Sequence, residues 1–357
     1  MRHRKNLANL ILRAGAEPGA FRAVQNDIRE SNKDNLINLS VLETTAMAVM
    51  LILSFAVSGL ENQRSFYLVG LLSGLCVLIP IRFLSDKYPG IIGAVFYVFL
   101  ATVFMAGISI GTFGAPDEIT ATYIALMLTG PQFIVDRPLK VYFLIAVSNI
   151  IFIILAHAVK NPLTWTSDTI NSILFGVVSC ILYTMTAQVK VSRFTLEEKI
   201  RYMAETDQLT GLKNRNSFEQ TTSGKDMRSA KDLYCVYVDV NGLHELNNEE
   251  GHEAGDRMLK DIASAMQGIF GAENTYRVGG DEYVALGAEL KPDEIEEKAG
   301  KLKADVQKAG YHIALGLSCE SGEHIDVHKL VKSAEALMYE DKERYYIENG
   351  IDGSRRR

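Results

Sequence analysis

The chain has 357 residues, 48% of them hydrophobic and 22% charged, with a formal net charge of −6. These averages conceal two halves: apolar runs dominate from about Asn35 to Gln188, and charged, alternating sequence follows from about Lys190. Neither half has the basic excess that would make nucleic acid a partner, and Arg355, Arg356 and Arg357 read as a solvated tail over 351–357. Cys76, Cys180, Cys235 and Cys319 lack metal-ligand spacing and imply no disulfide framework, so they read as small hydrophobes in the core or facing lipid.

Residues 1–35 are polar, with no apolar core ahead of a small-residue cleavage site, so no signal peptide is expected. Leu7, Leu10, Ile11 and Ala14 share a helical face, which suits a cytoplasmic helix or one lying on a membrane surface. Residues 36–188 offer six apolar segments: Leu36–Leu60, Ser65–Leu84, Gly90–Ile110, Ile119–Val135, Leu139–Val159 and Thr169–Gln188. A bilayer span needs about 20 mostly apolar residues. The fourth segment is the weakest, being interrupted by Gly130 and Pro131. Lys and Arg crowd the N-terminal segment and recur at Arg82, Lys87, Arg137 and Lys140, whereas the alternate loops hold only Arg64 and Lys160. Positive charge stays on the cytoplasmic side, so a multi-pass cell-membrane protein with both termini inside is expected.

The outward loops are too short for a folded sensor, so an unknown signal ligand, membrane lipid or membrane partner is expected to act at the bundle itself. Trp165, in the outward loop Lys160–Asp168, reads as an interfacial anchor. Glu43 is the most notable charge within a span; near the cytoplasmic end it suits snorkelling as well as function. Asn149 and His157 are weaker candidates. The scarcity of such charges and the lack of an internal repeat argue against a transporter.

Over 189–205, Val189, Arg193, Leu196, Ile200 and Met203 are spaced four, three, four and three, a seam for a short coiled coil that Arg193 interrupts. The same spacing suits the sixth helix running on into the cytoplasm.

Residues 206–350 alternate between helix and strand patterns. Helices are expected at Asn214–Thr222, Ala254–Phe270, Pro292–Ala309 and Asp326–Tyr346, and strands at Leu233–Val240, Thr275–Val278, Tyr283–Leu286 and Tyr311–Cys319. A sheet covered by helices follows. Asp239 ends the buried strand, and Asp281 and Glu282 sit in a glycine-rich hairpin turn after Gly279 and Gly280. Carboxylates at strand ends are hard oxygen ligands suited to Mg²⁺ and a polyphosphate. Each of them alone is equally at home as a turn or cap residue.

Together these residues carry a resemblance. Arg277-Val-Gly-Gly-Asp-Glu-Tyr283 resembles the signature of GGDEF-domain diguanylate cyclases, with Tyr283 in place of the usual Phe. Asp207-Gln-Leu-Thr-Gly-Leu-Lys-Asn-Arg215 is similar to the family's opening motif, and Asp239 to Asn247 with Gly251 to Asp256 is similar to its metal and guanine segment. The resemblance covers only the C-terminal part. It implies a nucleotidyl-cyclase-like α/β (α+β) domain with a mostly antiparallel central sheet, behind an all-α six-helix transmembrane bundle. The implied activity is condensation of two GTP into cyclic di-GMP and pyrophosphate by a homodimer, with Mg²⁺ or Mn²⁺ as cofactor.

The resemblance also implies site roles. Asp239, the Val240 carbonyl, Asp281 and Glu282 would hold metal, with Asp281 and Glu282 the catalytic pair. Asn247 and Asp256 would contact guanine; a carboxylate accepts from the N1–H and N2–H₂ edge that adenine lacks. Gly242, Leu243, Gly280, His244 and Lys342 would line the phosphate side. His244 stands where many relatives have Lys, and Tyr346 where many have Arg, so the triphosphate site is less basic. Phe270 and Glu273 replace the product-inhibition motif, so no feedback through that site is expected. The alternative is a catalytically silent module that binds GTP or a partner protein.

Overall fold

A computed structural model describes residues 2–57, 60–85, 87–88, 90–224, 227, 231–322 and 325–350; the tail 351–357 lies outside them. The chain divides into two compact units, Met1–Glu198 and Lys199–Arg357.

The N-terminal unit is helical among its described residues: α1 (Arg2–Arg13), α2 (Pro18–Ala23), α3 (Gln25–Ala56), α4 (Arg64–Leu84), α5 (Ile91–Ser109), α6 (Ala121–Thr129), α7 (Pro138–Val159) and α8 (Pro162–Glu205). Among the described residues five helices are long and apolar enough to cross a membrane: Gln25–Ala56, Arg64–Phe83, Ile91–Gly114, Pro138–Val159 and Pro162–Glu205. Three results differ from the sequence reading. The first apolar helix starts at Gln25, well before Leu36. The last one starts at Pro162 and takes in most of the expected outward loop, Trp165 included; it runs on through 189–205, as one of the two sequence readings had it, giving 44 continuous residues. The fourth expected segment is only a nine-residue helix followed by a 3₁₀ turn, Gly130–Phe133. Pro131 has no N–H to give and Gly130 favours no helix, so the α-helical ladder ends there.

That segment nonetheless is tied at both ends. The Asn32 amide donates to the Val135 carbonyl at 2.8 Å and accepts from the Val135 N–H at 2.9 Å. Lys190 donates to the Gln132 carbonyl at 2.8 Å. At the opposite end, the Asp168 carboxylate accepts from the Thr120 N–H at 2.8 Å. Lys160 and Asp168 form an ion pair at 2.7 Å, both side chains fully shielded from solvent. Lys160 also donates to the Glu118 carbonyl at 2.7 Å and to the Thr120 hydroxyl at 2.8 Å. Trp165 packs against His157 with the rings tilted at 59° and their centroids 4.7 Å apart. Glu43 accepts from Ser73 at 3.3 Å.

The C-terminal unit is built on one sheet. Its strands are β1 (Lys213–Asn214), β2 (Asp232–Asn241), β3 (Thr275–Arg277), β4 (Glu282–Ala288) and β5 (His312–Ser321). They lie in the order β1-β3-β4-β2-β5, with β1 parallel to β3 and every other pair antiparallel. The sheet is therefore mixed: in the chain the two-residue β1 is separated from its neighbour β3 by α9 (Arg215–Ser223), β2 and two more helices, so no hairpin joins them. The remaining helices are α10 (Leu243–Glu250), α11 (His252–Phe270), α12 (Pro292–Lys308) and α13 (Val327–Glu348).

Strand alternation decides where the polar residues of β2 go. Tyr234, Val236, Val238 and Val240 pack with Met258, Ile262 and Met266 of α11. Leu233, Cys235 and Tyr237 pack on the other face with Leu330, Ala334 and Met338 of α13. Asp239 continues this second set and therefore emerges beside α13. Tyr283 is fully buried, and its hydroxyl donates to the Leu259 carbonyl at 3.0 Å, which satisfies the group that Phe would lack.

Candidate active site

Asp239 is the last acid of β2 and pairs in register with Glu282, the first residue of β4. The Val240 N–H donates to the Asp281 carbonyl at 3.0 Å, fastening the strand end to the hairpin turn. Three carboxylates thus converge at one end of two paired strands. Asp239 is pushed up to about 6 by burial, with the charges of Asp281 and Glu282 adding to the rise and Lys342 opposing it. Burial also raises Glu282, reinforced by Asp281, while a 3.4 Å hydrogen bond from Tyr237 works against the rise.

Lys342, on α13, places its ammonium 2.6 Å from Asp239 Oδ1. Burial works against the charge of Lys342, but the contact with Asp239 outweighs it and holds the ammonium above its ordinary range. Among the described residues no trio of His, Cys, Asp or Glu is gathered tightly enough to cage a metal ion. The donor set still fits one. Its ligands are all hard oxygen, its mutual repulsion calls for a cation, and Mg²⁺ keeps several waters and substrate oxygens rather than demanding a full protein cage.

On the other side of β2, Gly242 has φ +78°, a left-handed turn that lets α10 start at Leu243 with its first N–H groups open. His244 is exposed on that helix. Asn247, three residues on, lies against Gly255 so closely that any Cβ at Gly255 would collide with its amide oxygen. That oxygen is buried without a hydrogen-bond partner. Asp256 is exposed in the first turns of α11, next to Gly255. Asn247 and Asp256 are therefore brought to one helix junction. Gly280 is exposed at the hairpin tip, and its carbonyl accepts from Arg277 at 2.6 Å.

Two features escaped the sequence reading. Arg277 pairs with Asp207 at 2.9 Å, joining the opening motif to the signature. Burial pushes the Asp207 carboxyl up, but hydrogen bonds from Thr210 and Arg277 outweigh it and hold it below its ordinary range. Asn241 is buried with neither end of its amide partnered, two residues beyond Asp239 on the same face. Period-two counting from Asp239 was the signal that could have found it.

The family described as "Diguanylate cyclase, GGDEF domain" matches residues 204–345. An uncharacterized signaling protein of Caulobacter vibrioides is 33% identical over 165 residues, 42% of this chain and 20% of that protein. Diguanylate cyclase DosC of Escherichia coli is 27% identical over 175 residues, 45% of this chain and 38% of that protein. The chain thus spans well under half the length of either relative. The coiled coil and GGDEF domain of DgcB from Caulobacter crescentus, solved in complex with c-di-GMP, aligns with TM-score 0.41 at 20% identity, covering 47% of this chain and 95% of that one. After its several long apolar helices in the sequence, this chain carries a GGDEF domain over residues 204–345.

Proposed function

We propose that the protein is a membrane-bound diguanylate cyclase that joins two GTP into cyclic di-GMP and releases two pyrophosphates. The observation that carries this reading is the convergence of Asp239, Asp281 and Glu282 at the paired ends of β2 and β4, beside the junction that holds Asn247 and Asp256. Mg²⁺ or Mn²⁺, when held by Asp239, the Val240 carbonyl, Asp281 and Glu282, would neutralise charge on the phosphates. The chain's own residues do the rest. Asp256 accepts from the guanine N1–H and N2–H₂ edge, and the buried Asn247 oxygen is a second acceptor for it. The N–H groups after Gly242 and Leu243, with Gly280 and His244, face the phosphates, and Lys342 moves from Asp239 to a phosphate oxygen. Asp281 takes the proton of the attacking ribose 3′-hydroxyl.

Each domain binds one GTP, and each 3′-hydroxyl attacks the α-phosphate of the other, so two domains must face each other. Val189, Leu196, Ile200 and Met203 are all more than half exposed along α8, which suits residues 189–205 as a dimerising connector between 36–188 and 206–350. The membrane reading uses six crossings. The segment from Thr120 to Val135 is tied to Asp168 at one end and to Asn32 and Lys190 at the other, which supports counting it as a crossing despite its broken helix. Six crossings keep both termini cytoplasmic, as the loop charges require. By this reading a signal at the bundle gates the encounter of the two domains by shifting α8.

Replacing Asp256 with Ser should reduce discrimination of GTP over ATP by at least about tenfold, because the acceptor for guanine is lost. Competition assays with both nucleotides measure it; unchanged discrimination removes Asp256 from the guanine site. The pH dependence has a definite sign. Asp239 must be ionised to hold a cation and titrates at about 6 in the fold, so acid competes with metal. Its apparent Mg²⁺ affinity should weaken about fourfold between pH 7.5 and 5.5. Mg²⁺ titrations of the rate at each pH test this, and a pH-independent Mg²⁺ requirement contradicts it.

A silent GTP-binding module is the second reading. His244 and Tyr346 favour it, since both stand where a cation would serve the triphosphate. GTP binding without product separates it from the first.

A further inference from the structure

The end of β2 holds a polar group that the fold leaves unused. Asn241 is only 4% exposed, and neither the oxygen nor the nitrogen of its side-chain amide has a hydrogen-bond partner among the described residues. Such an amide can accept two hydrogen bonds and donate two. Burying it with none is costly, and buried polar groups in folded proteins are otherwise paired. The amide therefore calls for a partner that arrives in another state of the site.

Its surroundings narrow what that partner is. Asn241 shares a face of β2 with Asp239 and pairs in register with His312 of β5. Residues opposite each other on paired strands lie on the same face, and the His312 ring meets Tyr345 of α13 with centroids 5.3 Å apart. The last turns of α13 therefore cover this end of the sheet. From three residues before Tyr345, Lys342 reaches Asp239 at 2.6 Å. Immediately after Asn241 comes Gly242, whose left-handed turn opens the first N–H groups of α10. The amide thus stands between the carboxylate that would hold a cation and the N–H groups that would face phosphates, under the helix that carries the lysine.

A cation on Asp239 displaces the Lys342 ammonium, since two positive charges cannot share one carboxylate oxygen. The displaced ammonium sits on a flexible four-carbon stem and needs acceptors to fix it. A phosphate oxygen is one. We infer that Asn241 supplies the other: it is a positioning residue whose side-chain oxygen accepts from Lys342 once a cation holds Asp239, and so keeps the lysine on the GTP phosphates. The inference rests on the GTP reading above and deepens it. It holds for a silent GTP-binding module as well as for an enzyme.

The test measures binding of guanosine 5′-(α,β-methylene)triphosphate, whose α–β bridge the reaction cannot cleave, to the full chain in detergent with Mg²⁺, by calorimetry. Asn241→Ala should weaken binding about tenfold, the effect of one hydrogen bond to a charged group. Lys342→Met should weaken it at least as much. The double variant should bind no more than about twofold worse than Lys342→Met alone, because the two residues act as one unit. Asn241→Asp keeps an acceptor oxygen in place and should stay within about threefold of the unaltered chain. Asn241→Val runs the same cycle, and the cycle is read on whichever variant melts with the unaltered chain in the absence of nucleotide. Losses that multiply in the double variant overturn the inference, because an asparagine with a merely structural role acts independently of Lys342. Undiminished binding in the Asn241 variants also overturns it and gives the amide to a buried water. Early melts in both Asn241→Ala and Asn241→Val show a structural partner and overturn it as well, as does an unaltered chain that fails to bind the analogue. Turnover enters none of these readouts. A chain that binds the analogue but forms no cyclic di-GMP overturns the enzyme reading and leaves this one standing.

Discussion

Glu282→Gln is expected to abolish cyclic di-GMP formation, a loss of about 10³-fold or more, with no loss of folded stability. The first half follows from its place in the site. Glu282 pairs in register with Asp239, and the two share the position at which a metal would meet the phosphates. Removing one such electrostatic contributor costs about 10²–10³ in rate even where other groups remain, and losing a metal ligand adds to that. The second half follows from the charge balance among the carboxylates. Burial and the neighbouring Asp281 already hold the Glu282 carboxyl above its ordinary range. A neutral amide of the same shape relieves that repulsion and still accepts from Tyr237. Product analysis by chromatography, with a thermal melt in the absence of metal, tests both halves. Retained activity refutes the metal role, and a collapsed melt means that the lost activity reflects unfolding.

Asp168→Ala should destabilise the N-terminal unit by about 3–5 kcal/mol, because it leaves an uncompensated charge in the interior. Lys160 and Asp168 are both fully shielded and 2.7 Å apart. Around them, Thr120 and the Glu118 carbonyl complete the hydrogen bonding and fix the start of the segment that leads into α6. A melt in detergent should fall by about 10 °C or more. Replacing both partners at once, Lys160→Met with Asp168→Leu, should recover much of the loss, since a buried pair contributes little beyond an apolar pair of similar volume. A single variant that melts like the unaltered chain would show that the pair is open to water.

Why the sequence revealed some of this and concealed the rest has physical causes. The strand and helix positions of the C-terminal unit were legible because β2 is almost wholly apolar and α11 keeps Met258, Ile262 and Met266 on one face. The parallel pairing of β1 was not, because two residues carry no periodicity. The grouping of the three carboxylates was foreseeable from strand ends and a turn, whereas the seating of Lys342 on Asp239 depends on how α13 crosses the sheet. The Asp207–Arg277 bridge spans 70 residues, a distance no local pattern encodes. In the N-terminal unit the apolar runs were plain, but Pro131 splits the fourth segment, and Lys160 and Asp168 looked like loop charges until folding buried them together.

The most direct test of the central claim is the reaction itself. The full chain in lipid nanodiscs, supplied with GTP and Mg²⁺, should produce cyclic di-GMP with two pyrophosphates per product. Its specific activity should rise with protein density as domains find partners. Sustained GTP binding without product at any density would contradict the account and leave a nucleotide-binding module in its place.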